Sequence, residues 1–167
     1  LQPTVAKAGR MSKTFLTEAE QKILLKIARE ALEKAVSGLP LPEVNLEVLP
    51  PALQGDGATF VTLTRSGQLR GCIGTLQAYQ PLAEDAQEHA VAAALQDPRF
   101  PRVNADELEG IDIEISVLSP RIPLHYDTPA ELLERIRPEV DGVVLQDGFR
   151  KATFLPQVWE KIPDPAL

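Results

Sequence analysis

A chain of 167 residues, 44% of them hydrophobic, is long enough to bury the core of one ordinary domain without disulfides or metals. Its single cysteine, Cys72, excludes an internal disulfide framework, and with His89 and His125 as the only histidines no spacing resembles a structural zinc site. The formal net charge of −7 leaves no global positive field to draw the chain onto nucleic acid.

No run approaches the roughly 18 consecutive apolar residues of a membrane span, and no apolar signal core opens the chain. The expectation is a soluble, cytoplasmic protein without membrane contact. Leu1 to Arg10 precede Met11 and read as an upstream extension or a remnant of expression, to which no role is assigned, and this leaves residues 11–167 as one domain.

Thr17 followed by Glu20 has the spacing of a capping box, so a helix should start there. Its apolar positions Leu24, Ile27, Ala28, Ala31, Leu32 and Ala35 recur at helical spacing, and Gly38 with Pro40 supplies the stop. Pro40, Pro42, Pro50 and Pro51 then punctuate a connection with room for a short strand around Asn45 to Val48. The pattern changes to period two at Phe60-Val61-Thr62-Leu63-Thr64, and Ser66-Gly67 turns that strand into Leu69 to Leu76.

Pro81 suits the first turn of a second helix, whose alanine-rich stripe runs through Leu82, Ala86, His89, Ala90, Ala93 and Ala94 and ends before Asp97-Pro98. Ile111 to Val117 alternates almost strictly and predicts a strand with Asp112, Glu114 and Ser116 on one side. Thr128-Pro129 opens a short helix through Ile136. Val143-Val144-Leu145 and Lys151 to Phe154 form a hairpin across Asp147-Gly148, and Trp159 lies in a final helical turn. Hairpins rather than βαβ alternation dominate, so the fold class is α+β, a mainly antiparallel sheet flanked by helices.

The hairpin around Cys72 carries the candidate chemistry. A two-residue loop at Ser66-Gly67 pairs Leu63 with Arg70 and Val61 with Cys72, placing all four on one face. Gly71 and Gly74 bracket Cys72, and glycine within a strand marks a bulge or a close approach by backbone or ligand. A guanidinium two residues from a thiol would favour the reactive thiolate and could grip a phosphate or carboxylate. The alternative is architectural: Cys72 as a small buried hydrophobe and Arg70 paired with a carboxylate such as Glu114 or Asp97.

Leu69-Arg70-Gly71-Cys72-Ile73-Gly74-Thr75 resembles the signature of the AMME chromosomal region candidate family, called AmmeMemoRadiSam system protein A in prokaryotes. The resemblance continues through Pro81-Leu82-Ala83-Glu84-Asp85, Asp97-Pro98-Arg99-Phe100, Glu114-Ile115-Ser116-Val117-Leu118, Val140-Asp141-Gly142 and Leu155-Pro156-Gln157-Val158-Trp159. It implies a two-subdomain α+β fold likened to folds that bind nucleotides, nucleic acids or peptides, and it implies no particular reaction. It also implies a Memo-like protein and a radical SAM enzyme as partners. Family members generally continue past Pro163-Asp164-Pro165 with a further helix and strand, so a sheet edge would be left open in a molecule ending at Leu167.

These residues leave three functions open. The first is an accessory module that binds a ligand or partner through Arg70, Gly71, Gly74, Thr75, Asp97, Arg99, Phe100 and Glu114. The second is an enzyme with Cys72 as nucleophile, activated by Arg70 and His89. The third is an RNA-binding module using Arg65, Arg70, Arg99, Arg102 and Arg121, with Phe100 or Tyr79 to stack on a base. No cofactor is expected. Asp112 and Glu114 share a strand face as a metal site or a solvent-facing pair would, and no metal is expected there.

Overall fold

The computed structural model describes residues 4–9, 15–137 and 140–154. The chain forms two compact units, Ser12–Val117 and Leu1–Met11 with Leu118–Leu167. The predicted final turn at Trp159 lies outside the described residues. In chain order, β1 (Thr4–Gly9) belongs to the discontinuous unit. The continuous unit then runs α1 (Glu18–Val36), α2 (Pro51–Gln54), β2 (Asp56–Gly57), β3 (Thr59–Arg65), β4 (Gln68–Gly74), β5 (Gln80–Pro81), α3 (Leu82–Leu95) and β6 (Ile111–Val117). The chain returns to the discontinuous unit with β7 (Ile122–Leu124), α4 (Pro129–Arg135), β8 (Asp141–Asp147) and β9 (Arg150–Phe154).

The capping box at α1 forms as its spacing predicts: the Thr17 N–H donates to the Glu20 carboxylate at 2.7 Å and the Glu20 N–H to the Thr17 hydroxyl at 3.3 Å. Gly38 ends this helix region at φ 69°, a conformation glycine adopts without Cβ strain. The connection with room for a short strand around Asn45 instead holds a 3-10 turn over Leu46–Val48, where Asn45 accepts from the Glu47 N–H at 3.2 Å and winds the chain locally.

In the continuous unit β4-β3-β6 form an antiparallel sheet, and β2 pairs separately with β5. Val61 and Leu63 of β3 point into a core shared with Ala28 and Leu32 of α1 and Ala90, Ala93 and Ala94 of α3. Thr59 shares their face: its N–H and hydroxyl donate to the fully buried Asp85 carboxylate of α3 at 2.7 and 2.6 Å. His89 Nδ1 lies 3.1 Å from that same oxygen, so helix and strand are joined by a buried polar cluster.

That cluster should make stability depend on pH. Burial is the largest influence on His89 and opposes its charge, but the Asp85 hydrogen bond and the charges of Asp85 and Glu88 together raise its pKa above 6.5. A group raised on folding contributes fully below its unfolded value and loses that contribution as pH rises through the folded one. The urea midpoint should therefore fall as pH rises above about 6.5, and His89→Gln should flatten the slope. An unchanged slope in that variant would place its origin elsewhere.

The discontinuous unit is an antiparallel sheet of order β7-β1-β8-β9, so residues read as an extension supply a paired inner strand. Thr4 to Gly9 carry no turn or charge signal that prevents this, and Val5 is buried. The predicted hairpin forms, with Gly148 at φ 58° in its turn. Asp141 of the Val140-Asp141-Gly142 motif is buried and accepts from Arg137 Nε at 3.0 Å and Nη2 at 2.7 Å.

Candidate functional site

Ser66 and Gly67, at φ 51° and 76°, make the expected two-residue turn, with Arg65 opposite Gln68 and Thr64 opposite Leu69. Arg70 is then an extra residue: the register shifts and Leu63 faces Gly71, Thr62 faces Cys72 and Val61 faces Ile73. The predicted pairs Leu63 with Arg70 and Val61 with Cys72 are thus corrected by a bulge. A slip of one residue exchanges sheet faces, so Cys72 leaves the core side and joins Thr62. Its Sγ is 3.3 Å from Thr62 Oγ1, and Glu114 of β6 stands across Thr62 on the far side.

At Gly71 and Gly74 neighbouring backbone approaches too closely for a side chain. A Cβ on Gly71 would lie 2.1 Å from the Ala93 carbonyl oxygen of α3, and one on Gly74 would lie 2.2 Å from the Thr59 carbonyl oxygen. Thr75 extends the same pairing by donating its N–H to Thr59 at 3.0 Å, and its hydroxyl caps the Gln77 N–H at 3.2 Å.

The bulge aims Arg70 at the segment after α3. Its guanidinium clasps Glu107 with two bonds of 2.9 Å and also donates to the carbonyls of Pro101 at 2.8 Å and Arg102 at 3.2 Å. Neither Glu114 nor Asp97, the carboxylates anticipated for Arg70, fills that role. Glu107 also accepts from the Asn104 N–H at 2.9 Å and from Arg65 at 3.3 Å. The Arg70 hydrogen bond, with smaller help from Asn104 and the nearby arginine charges, outweighs burial and holds the Glu107 carboxyl down to about 2. Glu107 was legible as an N-terminal signal, since Asn104 with an acid three residues later is a capping-box pattern.

Asp97 grips the free edge of the sheet. It accepts from the Cys72 N–H at 2.9 Å, while Arg99 donates to the Cys72 carbonyl at 3.3 Å and to Asp97 at 2.7 Å. The pair thereby occupies the outward N–H and carbonyl of Cys72, which β4 would otherwise offer to another strand. Arg99, then the N–H groups of Cys72 and Arg99, hold the buried Asp97 carboxyl well below the usual carboxylate range against the cost of burial.

The arginine that contacts Cys72 is therefore Arg99, through the Cys72 carbonyl, rather than Arg70. Arg99 is 55% exposed, and its guanidinium lies 5.4 Å from the Phe100 ring centroid. His89 is on the helix-covered face with Thr59, the opposite face from Cys72, so the proposed Cys72–His89 activation is removed by the strand's alternation. Arg65, Arg70 and Arg99 each meet a carboxylate, which lowers the free positive charge counted for an RNA surface. Among the described residues no group of histidine, cysteine and carboxylate side chains is placed to hold a metal ion, and no helix is long and apolar enough to cross a membrane.

The profile of the AMMECR1 family matches residues 25–165, which include every element of this clasp. The chain belongs to the AMMECR1 family. A protein of Methanothermobacter thermautotrophicus is 42% identical over 146 residues, covering 86% of this chain and 74% of its own length. Protein MJ0810 of Methanocaldococcus jannaschii is 34% identical, with 86% and 71% covered. The crystal structure of uncharacterized protein PH0010 from Pyrococcus horikoshii superposes with a TM-score of 0.81 at 31% identity, covering 89% of this chain and 75% of that one. The AMMECR1 fold is accordingly the predicted α+β arrangement of helices with mainly antiparallel sheets.

Proposed function

We propose that this AMMECR1 protein is a cytoplasmic accessory module that binds a partner or ligand, and that Arg99 and Phe100 are its recognition residues. The observation that carries the reading is a division of labour along one segment. Arg70, Asp97 and Glu107 are largely buried as they hold residues 97–107 against β4, whereas Arg99, although it also donates to Asp97 and to the Cys72 carbonyl, keeps a half-exposed side chain with its guanidinium over Phe100. A charged and aromatic pair on a rigid mount is suited to recognition, because little side-chain freedom is lost on binding. Cys72, Thr62 and Glu114 lie in a row across β4, β3 and β6 as an adjoining polar strip.

The sequence resemblance to AmmeMemoRadiSam system protein A names the partners to try, a Memo-like protein and a radical SAM enzyme. Titration calorimetry with those proteins from the same genome should give saturable binding to at least one. Arg99→Ala should weaken it by about tenfold or more, which corresponds to about 1.4 kcal/mol, while Cys72→Ser leaves it unchanged. Loss of function in Cys72→Ser with binding intact would instead favour the thiol as a nucleophile.

A further inference from the structure

We propose that a second surface of the continuous unit, a groove between α1, the proline-punctuated segment 42–49 and α3, docks a short partner segment carrying an aliphatic side chain beside a lysine or arginine. The groove encloses about 220 Å³, below the roughly 300–1,000 Å³ of pockets that take whole small molecules, and fits one or two side chains of a peptide. Its walls are mainly aliphatic, supplied by Ile27 of α1 with Pro42, Val44, Val48 and Leu49. Val48 is 75% exposed, although apolar residues of that size are usually withdrawn from water.

The walls are set before any partner arrives. Gln87 of α3 donates to the Pro42 carbonyl at 2.9 Å, Gln54 donates to the Leu49 carbonyl at 2.7 Å, and the Asn45 cap fixes the turn between them. A prearranged groove avoids much of the ordering cost of binding.

Charge selects the occupant. Glu30 and Glu43 stand in the lining, and the cation paired with Glu30 is Lys26 at 3.7 Å across an exposed, weak contact. An aliphatic anchor satisfies the walls, and an adjacent ammonium or guanidinium satisfies the carboxylates. An acidic neighbour would be repelled.

The test uses the full chain with labelled methyl groups and two synthetic peptides, acetyl-Gly-Leu-Lys-Gly-amide and its counterpart with glutamate in place of lysine. The lysine peptide should give saturable shifts at the methyls of Ile27, Val44, Val48 and Leu49 within about 10 mM, where a millimolar complex is mostly formed. The glutamate peptide should bind about tenfold more weakly, and Glu43→Gln should narrow that difference. Val48→Ser, at an exposed position, should weaken the lysine peptide without lowering the melting temperature. Absence of saturable shifts, equal binding of both peptides, or concentration-dependent shifts without peptide that assign the groove to a second copy would each overturn the proposal.

Discussion

Replacing Arg70 by alanine should lower the free energy of unfolding by about 3 kcal/mol, because it breaks a largely buried, two-bonded ion pair and strips two loop carbonyls of their donor. The Arg70 and Glu107 side chains are 14% and 13% exposed, so solvent screening is modest. For a chain of this size the melting temperature should fall by roughly 6–12 °C. Arg70→Lys keeps the charge but cannot reproduce the planar fork, and it should recover less than half of the loss. Urea unfolding followed by circular dichroism measures both, and a change below about 0.5 kcal/mol in Arg70→Ala would show that the clasp contributes little.

The same variant should alter acid stability. Glu107 is held down to about 2 from an ordinary 4.5, so as pH falls the unfolded chain takes up the proton first. The contribution is complete above about 4.5 and is lost as pH drops towards 2. In Arg70→Ala that acid step should shrink by about 2 kcal/mol, and an undiminished step would assign it to other carboxylates.

The second large effect is expected at Gly71. Its missing side chain lets the carbonyl of Ala93 approach the strand so closely that an alanine Cβ would sit 2.1 Å from that oxygen. Both sides of the clash are backbone, so no rotamer change relieves it, and α3 would have to move away from β3 and β4. We expect Gly71→Ala to cost more than about 3 kcal/mol, with displacement of the Ala90 to Ala94 stripe from the core. Gly67→Ala, in open space but at φ 76°, should cost less, about 1 kcal/mol, through backbone strain alone. Equal stability of the Gly71 variant and the parent would mean that the helix does not seat on this glycine.

Much of this fold was legible because its signals are local. The capping box, the alternation of Ile111 to Val117 and the Ser66-Gly67 turn all appear where residue type and spacing place them. What escaped the sequence was register. The glycines signalled a bulge or a close approach, and both occur, but pairing counted outward from the turn without a bulge put Cys72 on the wrong face. The chemistry follows the register: spacing alone sets Arg70 beside the thiol, whereas the bulge binds it to Glu107, thirty-seven residues on. Long-range partners of this kind leave no local pattern. The strand Thr4–Gly9 has no local signature for the same reason, since its partners lie at the other end of the chain.

The proposed recognition segment follows the same logic. Asp97 and Arg99 belong to one short motif, yet one is buried against the Cys72 backbone and the other half exposed, a division no spacing rule assigns. Amide hydrogen exchange of the full chain with and without the Memo-like and radical SAM proteins tests that division most directly. Partner binding should slow exchange over residues 97–102 and the adjoining 70–75. Complexes that leave exchange unchanged over 97–102 while protecting other surfaces would contradict the assignment of Arg99 and Phe100 as the recognition residues.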